Sequence, residues 1–430
     1  MNDAKYRTDL PSAVADPPVR SLSKGLGRLE AAVPASAIAA LRWNLLREDL
    51  SLPTAVLYDD KLEHNLQWMK RFAAAYGAKL APHGKTTMAP ELFMRQMRAG
   101  AWGMTLATAP QSRVAYEHGV RRVLLANQLV GRQNLEIVAH LLEDPGFEFF
   151  CLVDSADLVE SLGRFFQVRG QRLNVLLELG TDDGRTGVRD RGQLQGVLSA
   201  LSGWKNQIAL CGVEVYEGVL QDEMSIRTFL SRTLEIASEL AKENRFDRSP
   251  VILSGAGSAW YDVVADVFSR ADLGQAVDVV LRPGCYLTHD VGIYRQAQQQ
   301  IRVRNPVARN MDSSLVPALQ LWAYVQSVPE PNKAILGLGK RDAAFDAGLP
   351  APGLHHRPGQ AAPRAAPATW KLTKMMDQHA YLEIPDGADI RVGDMIGLDI
   401  SHPCLTFDKW RYLVVLDSSY QVMGVVETFF

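Results

Sequence analysis

The chain has 430 residues, 46 Lys and Arg against 48 Asp and Glu, and 47% hydrophobic residues. That length exceeds a usual single domain and predicts two, or one large domain with a satellite. Balanced charge without a clustered basic stretch excludes nucleic acid and anionic membranes as partners and leaves small-molecule chemistry. Residues 1–18 are polar and proline-dotted, and no apolar run approaches the roughly 20 residues that cross a bilayer, so the expectation is a cytoplasmic protein with no membrane span. Four widely spaced cysteines without C-x-x-C pairs fit reduced thiols. Of these, Cys151, Cys211 and Cys285 read as core packing, and Cys404 stands apart.

In chain order, residues 1–50 form an amino-terminal extension with one expected helix, 35–50. Short apolar runs then alternate with amphipathic stretches: 54–58, 79–82, 104–107, 122–127, 147–153, 173–179, 208–215, 251–253 and 279–281, with helical patterns such as 90–101, 110–118 and 224–243 between them. Near-continuous apolar strands separated by helices mean a parallel sheet buried on both faces. About eight such units in about 250 residues is the size of a (β/α)8 barrel, here residues 51–300. Nine runs are present, so the first or the last belongs elsewhere. An open doubly wound sheet competes, but G-x-G-x-x-G after the first strand is absent.

After about residue 294 the rhythm changes. Runs at 318–328, 333–339, 393–400, 412–417 and 421–426 alternate with Gly, Pro and Asp turns and no convincing helix, which predicts an antiparallel β-domain over 301–430. Residues 348–369 are Ala-, Pro- and Gly-rich and read as a mobile loop, with His355 and His356 solvated in preference to a paired metal site.

The chemistry-bearing residues fall at strand ends. Lys85, in Pro82-His83-Gly84-Lys85-Thr86, follows the 79–82 run, and a lysine at the carboxyl end of a barrel strand faces the active-site rim, where it is a Schiff-base candidate. Arg185 lies in a polar, glycine-flanked segment after 173–179, and Tyr216-Glu217-Gly218 ends the next run. The small-residue loop Ser254-Gly255-Ala256-Gly257-Ser258 leaves backbone N–H groups uncovered for a phosphate. Arg282-Pro283-Gly284-Cys285-Tyr286 ends the last run. Any one of these alone reads as an ordinary turn; the group around one barrel mouth points to an active site. In His402-Pro403-Cys404 an extended segment would turn imidazole and sulfur to one face, and nitrogen with sulfur favours zinc. On spacing alone, a packed cysteine beside a satisfied histidine remains the commoner arrangement.

Taken together and in this order, Pro82 to Thr86, Asp183-Gly184-Arg185-Thr186-Gly187, Ser254 to Ser258, Arg282-Pro283-Gly284-x-Tyr286 and His402-Pro403-Cys404 resemble the D-threonine aldolase and D-serine dehydratase family. The resemblance spans about residues 50–430. Ala81, Thr87 and Met88 stand where the family often has Arg and His-Lys. The resemblance implies an alanine-racemase-like barrel with a carboxy-terminal β-domain and pyridoxal phosphate held by Lys85 as a Schiff base. Arg185 would address the cofactor ring, Tyr216 its ring or phosphate, and Ser254, Gly255, Gly257, Ser258 and the Tyr286 backbone the phosphate. His402 and Cys404 would hold a catalytic zinc, with manganese or another divalent ion as the alternative, and His379 would stand near the site or serve structure. His-x-Cys resembles the zinc-dependent dehydratases, whereas the aldolases tend to place Asp at position 404. The implied activity is dehydration of a D-3-hydroxy amino acid to a 2-oxo acid and ammonia. Retro-aldol cleavage to glycine and an aldehyde is the alternative, and a non-catalytic cofactor carrier the second. The family arrangement also implies a homodimer.

Overall fold

The computed structural model describes residues 18–19 and 23–430, so all but Pro18 of the polar stretch 1–18 lies outside the described residues. Strands β1 (Pro18–Val19) and β2 (Val33–Pro34) pair antiparallel. The expected helix over 35–50 is instead two 3₁₀ turns, Ala35–Leu41 and Leu45–Arg47. Each stops at a left-handed residue, Arg42 (φ 53°) and Glu48 (φ 61°), a backbone conformation that ends helices. Asn44 opens the second turn by accepting from the Leu46 N–H at 2.9 Å.

The first of the nine apolar runs is the one that belongs elsewhere. It forms β3 (Thr54–Tyr58), outside the barrel. The remaining eight are β4 (Lys79–Leu80), β5 (Met104–Leu106), β6 (Arg122–Gln128), β7 (Glu148–Val153), β8 (Leu173–Leu179), β9 (Ile208–Val215), β10 (Val251–Gly255) and β11 (Val277–Leu281). They make one parallel sheet in the order β4-β11-β10-β9-β8-β7-β6-β5. The two ends meet: Trp102 N–H donates to Leu80 O at 2.7 Å, Thr105 N–H to Pro82 O at 2.9 Å, and His83 bridges Thr105. Closure gives the barrel that the alternating pattern predicts.

Polar residues set where the crossover helices begin. Thr108, Ser155, Asp190 and Asp222 each accept a hydrogen bond from a backbone N–H in the first turn that follows, satisfying a donor the helix itself cannot. Inside the barrel, Leu124, Phe150, Leu152, Leu176, Cys211, Ile252 and Val280 form one apolar cluster. Two residues further along the same inward rows stand Glu178, Ser254 and Arg282, so the lumen turns polar toward the carboxyl ends of its strands. Cys211 in that cluster and Cys151 in the outer core pack as expected.

The helical rhythm persists through Ile293–Arg304 and Pro306–Arg309, beyond the expected change at residue 294. The mainly antiparallel sheet that follows contains β12 (Leu319–Glu330), β13 (Lys333–Leu336), β14 (Ala351–His356), β15 (Arg364–Ala365), β16 (Lys371–Met375), β17 (Ala380–Glu383), β18 (Met395–Asp399), β19 (Tyr412–Leu416) and β20 (Val422–Glu427). β3 joins it, antiparallel to β12 and parallel to β19. Among the described residues no helix is long and apolar enough to cross a membrane.

The stretch read as a loop over 348–369 carries β14 and β15, with β14 paired to β18. His355 and His356, expected in solvent, are buried. The composition misled because a polar cluster anchors the strand. The Asp394 carboxylate, 2% exposed, accepts from His355 Nε2 at 2.8 Å, from Arg357 Nε at 2.8 Å and from the Arg391 N–H at 2.9 Å. Removing one partner of a buried, hydrogen-bonded charge leaves the others uncompensated. Asp394→Ala is therefore expected to cost roughly 2–4 kcal/mol of stability, read as a lowered urea midpoint with an unchanged slope.

Candidate active site at the barrel mouth

Parallel strands bring their carboxyl ends to one rim, and the residues singled out there meet around it. Lys85 sits exposed in the 3₁₀ turn Gly84–Thr86, which follows β4 directly. The nearby His83 is half-buried, and its buried Nδ1 has no partner among the described residues. Burial, then the positive charges of Lys85, Arg282 and Arg185, hold this imidazole well below its ordinary pKa. Three strand ends thus put their cations around one neutral ring.

Arg282 is buried, ion-paired with Glu214 and donating to Val215 O at 3.0 Å. Burial pushes Glu214 up to about 8, against the pull of that guanidinium. The Arg185 guanidinium lies 4.4 Å from the Tyr216 ring centroid, a stacked cation–π arrangement. Beneath them Glu178 accepts from the Thr186 hydroxyl at 2.6 Å and from the Gln128 amide, and burial raises its pKa.

The small-residue loop after β10 divides into two parts. Ser254 and Gly255 belong to the strand, with the Ser254 hydroxyl donating to Val280 O at 3.1 Å. Beyond them Ala256 turns to φ 83°, and the N–H groups of Ala256 and Gly257 both point at the buried Glu217 carboxylate, at 3.0 and 2.8 Å. Successive N–H groups converging on one anion form a nest, here filled by the chain's own carboxylate. The Ser258 hydroxyl accepts from the Cys285 N–H at 3.1 Å, while the buried Tyr286 hydroxyl accepts from Gln96 at 3.1 Å.

His402 and Cys404 also reach this rim, though not as an extended pair. Pro403 is helical (φ −62°, ψ −46°) and Cys404 opens the helical turn Cys404–Phe407. Their side chains interact nonetheless. The Asp346 carboxylate is 2.8 Å from His402 Nδ1. Hydrogen bonding to Cys404, then to Asp346, raises His402 to about 9. The Cys285 thiol, then His402, brings Cys404 down to about 4. Cys404 Sγ lies 3.5 Å from Thr86 Oγ1, one residue from Lys85.

Cys285 corrects the core-packing expectation. It is buried, but its sulfur lies 3.6 Å from Cys404 Sγ and 3.9 Å from Thr86 Oγ1, with Tyr294 beside it. Gly284 makes this approach possible. A Cβ there would stand 2.4 Å from Thr86 Oγ1 and 2.8 Å from His83 O. Among the described residues no group of three or more His, Cys, Asp or Glu is set to hold a metal ion. His379 is exposed in the turn between β16 and β17.

Residues that sequence reasoning passed over include Glu217, Asp346, Tyr294 and Asp290. Asp290 caps the helix Ile293–Arg304 by accepting from the Gly292 and Tyr294 N–H groups at 2.9 and 3.1 Å. Burial pushes it up to about 6. Glu217 stood inside the quoted Tyr216-Glu217-Gly218 motif without being given a role, and its charge beside a phosphate loop was a usable signal. Asp346, 56 residues from its histidine, belongs to no spacing pattern.

Comparison with known proteins gives a consistent picture. Residues 58–288 match the family model "Alanine racemase, N-terminal domain", and residues 318–416 match "Putative serine dehydratase domain". D-threonine aldolase from Arthrobacter sp. is 23% identical over 87% of this chain and 90% of its own length. The crystal structure of D-threonine aldolase from Filomicrobium marinum superposes with a TM-score of 0.71 at 21% identity, covering 88% of this chain and 95% of that one. D-threo-3-hydroxyaspartate dehydratase from Delftia sp. HT23 does so with a TM-score of 0.68 at 20% identity, covering 90% and 99%.

Buried imidazoles make a pH prediction. Burial holds His289 at about 4, against an ordinary 6.5, and His83 is also depressed. Below pH 6.5 the unfolded chain takes up protons that the folded chain refuses, so this contribution is intact above 6.5 and is lost as pH falls toward 4. The urea midpoint is expected to drop between pH 7 and pH 5, with a shallower drop in a His289→Asn variant.

Proposed function

The chain belongs to the family of the alanine racemase N-terminal domain, and on that footing we propose that it is a pyridoxal-phosphate- and zinc-dependent lyase acting on D-3-hydroxy amino acids. In this reading it dehydrates them to a 2-oxo acid and ammonia. The observation that carries the reading is the nitrogen–sulfur pair His402 and Cys404, with the Cys404 sulfur 3.5 Å from Thr86 Oγ1, beside Lys85.

Both groups pass a test of fit. The Ala256 and Gly257 N–H groups are taken by Glu217, so Ser258 and the Tyr286 backbone are what this rim leaves for the cofactor's phosphate. For the metal, Asp346 occupies His402 Nδ1 and leaves Nε2 for an ion, the carboxylate–histidine arrangement common behind metal-bound imidazole. A soft sulfur with an imidazole suits zinc better than magnesium.

When bound, pyridoxal phosphate supplies an electron sink for charge left at the substrate Cα. A zinc ion supplies Lewis-acid polarisation of the β-hydroxyl. The chain's own residues do the rest. Lys85 Nζ takes the Cα proton. Arg185, over the Tyr216 ring, would orient the cofactor ring, and Ser258 and the Tyr286 backbone would hold the phosphate. His402 and Cys404 would hold the metal. The protein works as a homodimer in the cytoplasm in this reading.

Retro-aldol cleavage is the second reading, favoured by the D-threonine aldolase that matches 87% of the chain. D-serine, D-threonine and D-3-hydroxyaspartate, each offered with and without chelator, separate the two. A 2-oxo acid with ammonia, abolished by chelator, is the expected outcome; glycine with an aldehyde selects the aldolase. Lys85→Arg is expected to lose the visible absorbance of the lysine-bound cofactor and to slow turnover by about a thousandfold or more. Full turnover in that variant removes the assignment.

A further inference from the structure

Resting on the metal-dependent reading above, we propose that Cys285 is a third protein ligand to the divalent ion. With His402 and Cys404 it makes a two-sulfur, one-nitrogen set that leaves one position for a substrate oxygen. Catalytic zinc commonly has three protein ligands and one open position, and His402 with Cys404 supplies only two. The described residues contain no ready-made cage of three. They contain two sulfurs at a fitting separation, with an imidazole beside one of them.

The distance is the first argument. Zinc–sulfur bonds of about 2.3 Å at a tetrahedral angle place two sulfurs on one ion about 3.8 Å apart. Cys285 Sγ and Cys404 Sγ are 3.6 Å apart. Two thiols packed in an apolar core could stand that close, so the surroundings decide. Thr86 Oγ1 lies within reach of both sulfurs, at 3.5 Å from Cys404 and 3.9 Å from Cys285. Tyr294 stands beside Cys285, and His402 beside Cys404. Hydroxyl and imidazole groups around paired sulfurs are the lining that metal-bound thiolates take. By contrast, Cys211 Sγ donates to Ala209 O of its own strand at 3.5 Å and sits in an apolar cluster.

Cys285 is also held in place before any ion arrives. Its N–H donates to the Ser258 hydroxyl at 3.1 Å, and the preceding Gly284 lets its loop press against Thr86. Carboxylates nearby are less available. Asp346 is committed to His402 Nδ1. Asp290 spends Oδ1 on backbone N–H groups, although its Oδ2 has no partner among the described residues, which makes it the rival third donor.

The test uses the full chain loaded with zinc or cobalt. X-ray absorption on the wild-type zinc protein is expected to count two sulfurs, and sulfur-to-cobalt charge-transfer bands to carry the intensity of two thiolates. Cys285→Ala is expected to halve those bands and to weaken metal binding by more than the about 10–100-fold that outer-shell changes cost. Its Lys85-bound cofactor absorbance should persist, which reports that the barrel is intact. Asp290→Asn is expected to leave the sulfur bands unchanged. A one-sulfur wild-type spectrum overturns the proposal without recourse to any variant, as do unaltered bands in Cys285→Ala. In both cases the metal-dependent reading survives. Failure of the wild-type protein to bind zinc or cobalt would overturn both.

Discussion

The site depends on how the barrel closes. β4 is only two residues long, and the seam between it and β5 is held by backbone bonds from Trp102 and Thr105 to Leu80 and Pro82. Lys85 lies three residues beyond the last of those acceptors, so the seam fixes where its side chain emerges. The turn that carries it is pinned from two further sides. Gly284 admits the Arg282–Cys285 segment against Thr86, and the helical turn Cys404–Phe407 brings Cys404 to the same hydroxyl. A lysine on a loop free of these contacts would still be a lysine at a strand end, but nothing would hold sulfur and imidazole beside it.

Charge at the mouth is arranged in layers. Deep in the lumen, Arg282 and Glu214 neutralise one another, and above them His83 stays uncharged among three cations. Glu178 is screened by Thr186 and Gln128, and Glu217 lies in a nest of N–H groups. The rim therefore sets three cations, Lys85, Arg185 and Arg282, among three carboxylates whose charges are each met by a partner. Chemistry at such a rim draws on oriented dipoles already in place, which need little reorganisation when charge develops.

Much of this was legible in the chain. Alternation of apolar runs with helical stretches fixes a parallel barrel, because only strands covered on both faces can be apolar throughout. The same signal could not tell that 54–58 lies in the other sheet, since a strand buried by two neighbouring strands and a core looks identical in composition. Local motifs located Lys85, Arg185, Tyr216 and the Ser254–Ser258 loop. They could not divide that loop into its structural half, Ser254 and Gly255, and the half whose N–H groups face an anion. Polarity misread 348–369, where Asp394 turns His355 and Arg357 into an anchor for β14. Cys285 looked like packing because depth in the fold and proximity to another sulfur leave no trace in a spacing of 119 residues. Asp346 was invisible for the same reason.

The placement of β3 has a consequence for how the polypeptide acquires its shape during synthesis. Residues 54–58 leave the ribosome before any of the barrel, yet their two neighbours, β12 and β19, are encoded after it. The barrel can close as a unit while this early segment waits with both backbone edges unsatisfied. Only when residues 412–416 are made does the last edge find its partner. Vectorial completion of the whole chain, rather than of its larger half, is thus what seals the molecule, and a transcript cut short after the barrel would release a product with a sticky strand at its front.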